Sequence, residues 1–193
     1  MPRLFTGIEL PDEIKDQLSE LEQPLPGTRW VSPDDLHITL RFFGDVSGRL
    51  ADELASLLGE IEVDAFELWL EGVGTFGGND PRVIWAGVSA SPQLDILARA
   101  NERAALSAGL APEPRAFKAH VTLARLRGTP PELVARTLGR IGAFRTKPFP
   151  VSRFALFSSK PNVGGGPYLL DAAFALHGAY FDATEDENQD QWR

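Results

Sequence analysis

With 193 residues, 43% of them hydrophobic, and four Trp and twelve Phe, the chain can bury a core as one domain or two small lobes, which excludes general disorder. No apolar run approaches the roughly 20 residues of a membrane span, and zero Cys excludes disulfides, thiolate nucleophiles and thiolate metal sites. A net charge of −8 argues against broad, sequence-independent clamping of a nucleic-acid backbone, which needs many Lys and Arg contacts, but leaves room for local ones.

The opening "RLFTGIEL" reads as a strand, and the apolar stretch in "MPRLFTGIEL" is too short and too regularly alternating for a secretory signal, so a cytoplasmic location is the default expectation. "PDEIKDQLSELEQ" has Pro11 near a helix start and Ile14, Leu18 and Leu21 at helical spacing. "PLPGTRWVSPDD" reads as a connection, Leu36 to Phe43 as a strand, and Gly48 to Ile61 as a helix with Leu50, Leu54, Leu57, Leu58 and Ile61 on one face. "AFELWLEGVGTF" and "RVIWAGVS" flank the turn cluster "GGNDP" and predict an antiparallel hairpin. A helix from about Pro92 to Ala108, a strand in "RAFKAHVTLARL", a helix in "PPELVARTLGRI" and strands near "FPVSRFALFSS" and "GPYLLDAAFAL" complete the chain. Residues 1–181 form one bilobal domain in this reading, and the polar, acidic segment 182–193 is expected as a disordered tail. Helices mixed with hairpin-joined strands predict an α+β fold, with two mainly antiparallel sheets around a central cleft and helices outside.

Two of the three histidines sit in matching settings, "DLHITLRFFGD" at Asp35 to Asp45 and "KAHVTLARLRG" at Lys118 to Gly128. With nine Thr in 193 residues, chance gives two of three His a Thr at +2 well under about 1% of the time. Strand alternation places His37 and Thr39 on one face and Ile38 and Leu40 on the other, and treats His120, Thr122, Val121 and Leu123 alike. The separation, 120 − 37 = 83 residues, is close to half the folded length and predicts two related lobes.

Two imidazoles and two hydroxyls converging on one cleft suit phosphoryl chemistry. Histidine titrates near neutrality, so one imidazole can take a proton from water while the other gives one to the leaving oxygen. Each Thr hydroxyl can donate to a non-bridging phosphate oxygen. The scheme needs no metal or other cofactor, and no helix carries the H-x-x-x-H or H-E-x-x-H spacing of zinc sites. The G-x-S-x-G of serine hydrolases is absent as well. Gly72 to Gly77 matches G-x-G-x-x-G but leads into a turn and a strand where a dinucleotide fold needs a helix, so it reads as a glycine-rich loop.

On these residues the chain resembles the 2H phosphoesterase superfamily, specifically the bacterial and archaeal RNA 2′,3′-cyclic phosphodiesterases, also called 2′-5′ RNA ligases. "RLFTGIELPDEI", "LPGTRWVSPDDLHITLRFFGDV", "GVGTFGGNDPRVIWAGV" and "FKAHVTLARLR" are similar to that family's landmarks in the same order, covering Arg3 to about Leu176. The resemblance implies a pseudo-two-fold bilobal fold with His37 as proton donor, His120 as acceptor and Thr39 and Thr122 as phosphate holders. It implies hydrolysis of RNA 2′,3′-cyclic phosphate ends to 2′-phosphomonoesters, with such RNA ends or nucleotides as partners. ATP-independent 2′-5′ ligation at the same site and a non-catalytic RNA-binding module are the alternatives, and a monomer is the default expectation.

Arg125 matches the family's H-x-T-L-A-R pattern and is the cationic candidate for phosphate charge or base stacking, although strict alternation puts it on the face opposite His120, so that reaching the cleft requires a bulge, a strand end or its long side chain. Arg41 has the parity of His37 and ranks second. Phe5 and Phe42 are candidate stacking rings for which core packing is the competing use. His177 lacks the Thr, and Ala119 and Thr6 stand where relatives carry Pro and an aromatic.

Overall fold

The computed structural model describes residues 3–159 and 166–178; the acidic segment 182–193 lies outside them. Ten strands and four α-helices follow in the order β1 (Arg3–Glu9), α1 (Asp12–Ser19), β2 (Thr28–Trp30), β3 (His37–Asp45), α2 (Gly48–Gly59), β4 (Phe66–Leu68), β5 (Leu70–Phe76), β6 (Val83–Val88), α3 (Pro92–Ser107), β7 (His120–Leu126), α4 (Pro131–Ile141), β8 (Phe149–Val151), β9 (Arg153–Ser159) and β10 (Tyr168–Ala175). The main sheet runs β10-β9-β1-β3-β7-β6-β5, with β2 also on β7, and all its pairs are antiparallel.

The two sheets expected from the sequence are the two halves of this array. Strands β3 and β7 meet at the single pair Ile38↔Val121 and then part. Where β3 leaves, β2 takes its place along β7, pairing Thr28, Arg29 and Trp30 with Leu126, Arg125 and Ala124. The connection predicted over "PLPGTRWVSPDD" therefore contains a strand and a 3-10 turn at Pro33–Asp35. The first half draws strands from both ends of the chain, β9 and β10 joining β1 and β3, and the second is built from β2, β5, β6 and β7.

The helices cover one face of the sheet. Ser47 and Ser91 start α2 and α3 by accepting hydrogen bonds from the Leu50 and Leu94 amides at 3.3 and 3.2 Å, as capping hydroxyls do. Leu54 and Leu58 of α2 and Leu94, Leu97 and Ala105 of α3 pack in one core with Ile38, Leu40, Ile84, Val121 and Leu123 of the strands, each such large side chain stabilising the fold by about 1.5–3 kcal/mol when buried. The opposite face of the first half carries a smaller cluster, Phe5, Ala155 and Phe157, with Tyr168 against it.

Several predicted strands are shorter or divided. "AFELWLEGVGTF" breaks at Trp69, whose amide and carbonyl engage Ser89. Strand β4 then pairs with β8 in a separate two-stranded sheet. "FPVSRFALFSS" likewise divides into β8 and β9, and the strand predicted from Arg115 begins only at His120.

Candidate active site

Both motif strands carry the same irregularity. In β3, Thr39 pairs with Gly7 and Arg41 with Thr6, leaving Leu40 as an extra residue. In β7, Thr122 pairs with Trp85 and Ala124 with Ile84, leaving Leu123 extra. A bulge of this kind shifts alternation by one, so Leu40 and Arg41, and Leu123 and Ala124, are buried in succession. Beyond it, Phe42 and Arg125 return to the face of their histidines. Of the three routes open to it, Arg125 reaches the cleft by the bulge. Arg41 does not follow His37: it is 8% exposed and bonds Glu102 of α3, the Phe42 carbonyl and the Ala111 carbonyl, the last at 2.7 Å.

The seam pair Ile38↔Val121 lies between the two motifs, so the antiparallel register sets His37 beside Thr122 and Thr39 beside His120. All four side chains line one cavity of about 1000 Å³. The His37 Nδ1 lies 2.7 Å from the Asp35 carbonyl, and the His120 Nδ1 lies 2.7 Å from the Lys118 carbonyl. A carbonyl only accepts, so both Nδ1 atoms carry the proton, and each neutral ring keeps its basic lone pair on Nε2. The Thr39 hydroxyl donates to the His37 Nε2 at 3.0 Å.

Each ring is braced by aromatics. Phe5 lies 4.9 Å from His37, and Tyr168 meets it edge-on at 5.2 Å. Phe76 meets His120 edge-on at 4.9 Å. Burial lowers the pKa of His37 from its ordinary value; the Asp35 carbonyl and carboxylate oppose this, and the charges of His120 and Arg125 add to it. Burial also lowers His120, opposed by the Lys118 carbonyl and assisted by the Lys118 ammonium. Both imidazoles are thus biased toward the neutral form.

Arg125 faces two groups that the sequence did not single out. Its cross-strand partner is Arg29, and like charges in that position repel unless an anion or acceptor lies between them. Burial raises the Tyr168 phenol, while the charge of Arg125 and a hydrogen bond to it pull the other way, as does Arg29. Arg29, Tyr168 and Arg125 all line the cavity. Phe76 and Lys118 belong to it too, with the Lys118 ammonium 4.5 Å from the Trp85 ring centroid.

The remaining expectations divide. Phe5 is core, 1% exposed, whereas Phe42 is 45% exposed and lines the cavity. Thr6 is buried with its hydroxyl donated to Asn101 Oδ1 at 2.7 Å, so its side chain is not in the cleft. His177 is exposed and only its backbone is engaged, bridging to Asp64. The glycine-rich segment 72–77 falls in strand β5 and the turn after it, as expected. A Cβ on Gly74 would lie 2.4 Å from the Trp85 ring, so close approach, not phosphate binding, accounts for that glycine.

The family model described as LigT like Phosphoesterase matches residues 8–85 and again residues 88–168, one match for each His-x-Thr motif. Among curated proteins, the chain is 37% identical over 117 residues to an RNA 2′,3′-cyclic phosphodiesterase of Aeropyrum pernix, covering 60% of this chain and 65% of that protein. It is 31% identical over 182 residues to the protein of that name from Aquifex aeolicus, covering 90% of this chain and 95% of that protein. Among solved structures, Escherichia coli LigT complexed with 3′-AMP superposes with a TM-score of 0.74 at 30% identity, covering 92% of this chain and 99% of that one.

Proposed function

Because the chain belongs to the LigT-like phosphoesterase family, we propose that it opens the terminal 2′,3′-cyclic phosphate of RNA to a 2′-phosphomonoester, with its two histidines as acid and base. The observation that carries this reading is the matched anchoring of the imidazoles in one cavity: both give Nδ1–H to a backbone carbonyl, which leaves Nε2 as the basic atom of each, on His37 in a hydrogen bond from Thr39. The Nε2 of His120 takes a proton from water as its oxygen bonds to phosphorus. The bond from phosphorus to the 3′ oxygen breaks, and His37, protonated on Nε2, gives that oxygen its proton. Thr39 and Thr122 donate to the non-bridging oxygens, on which charge collects in the transition state. Arg125, opposed by Arg29, supplies positive charge beside the pair.

The phosphate brings the proton balance. In the free protein both imidazoles are pushed toward neutrality, which readies the base but not the acid. A phosphate anion seated between them favours imidazolium and restores the proton to His37.

The test is incubation with 2′,3′-cyclic AMP and with an oligoribonucleotide ending in 2′,3′-cyclic phosphate, the products identified by phosphorus NMR. A 2′-phosphomonoester is expected, with kcat falling at least about 10²-fold in His37→Ala and in His120→Ala. Unchanged turnover in both variants overturns the assignment. A 5′-hydroxyl oligonucleotide supplied without ATP scores ligation in the same assay.

A further inference from the structure

The cavity extends well past the four motif side chains. At about 1000 Å³ it lies at the upper end of the roughly 300–1,000 Å³ of small-ligand pockets, and its wall away from Arg125 is built differently. Phe42 and Arg125 hold equivalent places, five residues after the motif histidines and just beyond matching bulges. Strands β3 and β7 run in opposite directions from their shared pair, so these two side chains lie at opposite ends of the seam. One end presents a guanidinium and the other an aromatic ring.

Phe117 stands with Phe42 on that second wall, at 38% exposed against 45%. Single exposed apolar residues are ordinary, but two exposed rings lining one cleft are not explained by packing. They are not in ring contact with each other, whereas Phe42 lies 5.4 Å from Phe5. The same cavity is lined by Arg99, Arg115 and Lys118 and by the carboxylates Asp95, Glu102 and Glu113, of which Glu113 accepts from the Arg115 guanidinium at 3.2 Å.

One buried cation fixes the arrangement. Arg41 bonds the Phe42 carbonyl on one side and the Ala111 carbonyl and Glu113 on the other. Glu102, itself bonded to Arg41, accepts from the Glu113 amide at 3.0 Å. The segment leading to Phe117 is therefore tied to the strand bearing Phe42, and both rings are placed before anything binds.

Exposed aromatics interleaved with Lys and Arg along a groove are how proteins hold single-stranded nucleic acid: bases stack on the rings and phosphates pair with the cations. We propose that Phe42 and Phe117 form a stacking platform for a second nucleobase, so that the cleft takes the end of an RNA strand, two or more nucleotides long, in preference to a cyclic mononucleotide. This deepens the reading above and rests on it. The terminal cyclic phosphate sits between the histidines, and the neighbouring nucleotide lies on the Phe42 wall with its phosphate toward Lys118 and Arg115.

Two measurements test it. The first compares kcat/KM for 2′,3′-cyclic AMP with that for a triadenylate ending in 2′,3′-cyclic phosphate. The native chain is expected to favour the triadenylate by roughly tenfold or more, the range that one stacked base supplies. The ratio falls toward one in Phe42→Ala and Phe117→Ala, and Phe42→Trp restores it. A native ratio near one, or a ratio that both Ala variants leave unchanged, overturns the proposal.

The second measurement does not depend on turnover. In a chain carrying His37→Ala, 2-aminopurine at the second position of a triribonucleotide 3′-phosphate is titrated by fluorescence. Quenching that Phe42→Ala and Phe117→Ala abolish supports the platform even if the hydrolysis reading fails. Quenching that both variants leave intact, or no quenching at saturating protein, refutes the platform whatever the enzyme hydrolyses.

Discussion

Acid-base work at a cleft depends on where two protons reside, and here the two rings are controlled by different neighbours. Both lose basicity first to burial, but Arg125 lowers only His37 further and Lys118 only His120. Removing a positive charge raises the pKa of the ring it acts on, so Arg125→Gln is expected to raise His37 and Lys118→Gln to raise His120. Proton NMR titration of the ring C–H resonances, assigned by His→Ala variants, reads each separately. In the native chain both midpoints are expected below the ordinary 6.5, and bound phosphate should move them upward. The bell-shaped profile of kcat/KM is then centred below pH 6.5, and that of kcat lies to its alkaline side because bound substrate favours imidazolium. A variant that moves the wrong imidazole, or neither, contradicts the electrostatic arrangement. That His37, Thr39, His120 and Thr122 share one cavity was legible in the sequence because the four stand in a doubled motif. Arg29, Tyr168 and Phe117 were not, since each enters through a separate element and only the folded pairing brings it to the cleft.

At the scale of strands, the bulges decide which side chains face the site. Strict alternation put Arg41 on the face of His37 and Arg125 on the face opposite His120, and one extra residue in each strand brought Arg125 to the face of its histidine and turned Arg41 into a buried pairing with Glu102 and Glu113. A trace of the second bulge is in the sequence: Leu123 and Ala124 are adjacent apolar residues that interrupt the polar–apolar rhythm of "HVTLARL". The first bulge leaves no such trace, because Leu40 is followed by an arginine whose burial depends on Glu102 and Glu113 from distant segments. Strand β5 offers a test of how the sheet backs His120. The Trp85 ring packs over Gly74, lies 5.5 Å from Phe76 and takes the Lys118 ammonium on its face. In Gly74→Ala the new methyl meets that ring at 2.4 Å, displacing Trp85 and through it Phe76, the ring braced against His120. Overpacking of this kind costs about 1–3 kcal/mol, expected as a lower midpoint in urea unfolding together with reduced turnover. Gly72→Ala, at a position open to solvent but with a φ of +72°, should lose stability through backbone strain and leave His120 in place. Equal losses of turnover in the two variants would separate Trp85 from the support of the site.

Across the whole molecule, an 83-residue repeat of a short motif becomes a two-fold arrangement about the Ile38–Val121 pair. The spacing predicted the related lobes, and the twice-matching family model agrees with it. It did not predict that β9 and β10 cross back to join β1 and β3, because which strands lie side by side depends on surfaces contributed by both halves. The same contrast between whole and part governs how the proposed RNA end would be held. The chain carries −8 overall, yet in the cavity six cations, Arg29, Arg41, Arg99, Arg115, Lys118 and Arg125, outnumber four carboxylates, Asp35, Asp95, Glu102 and Glu113. An acidic exterior around a basic cleft repels the strand beyond the nucleotides inside. Only about two phosphates should then be contacted, and at about 0.7 per phosphate for single strands the plot of log kcat/KM against log salt has a slope near −1 to −2, far from the −10 of a protein that clamps long duplexes. For the cyclic-phosphate triadenylate, raising salt from 50 to 200 mM should cost about fivefold to tenfold, and for cyclic AMP only about twofold to threefold. Lengthening the strand to ten nucleotides should leave the slope where the triadenylate put it. A slope that keeps steepening with length would mean that phosphates are gripped outside the cleft, on a surface whose net charge opposes it.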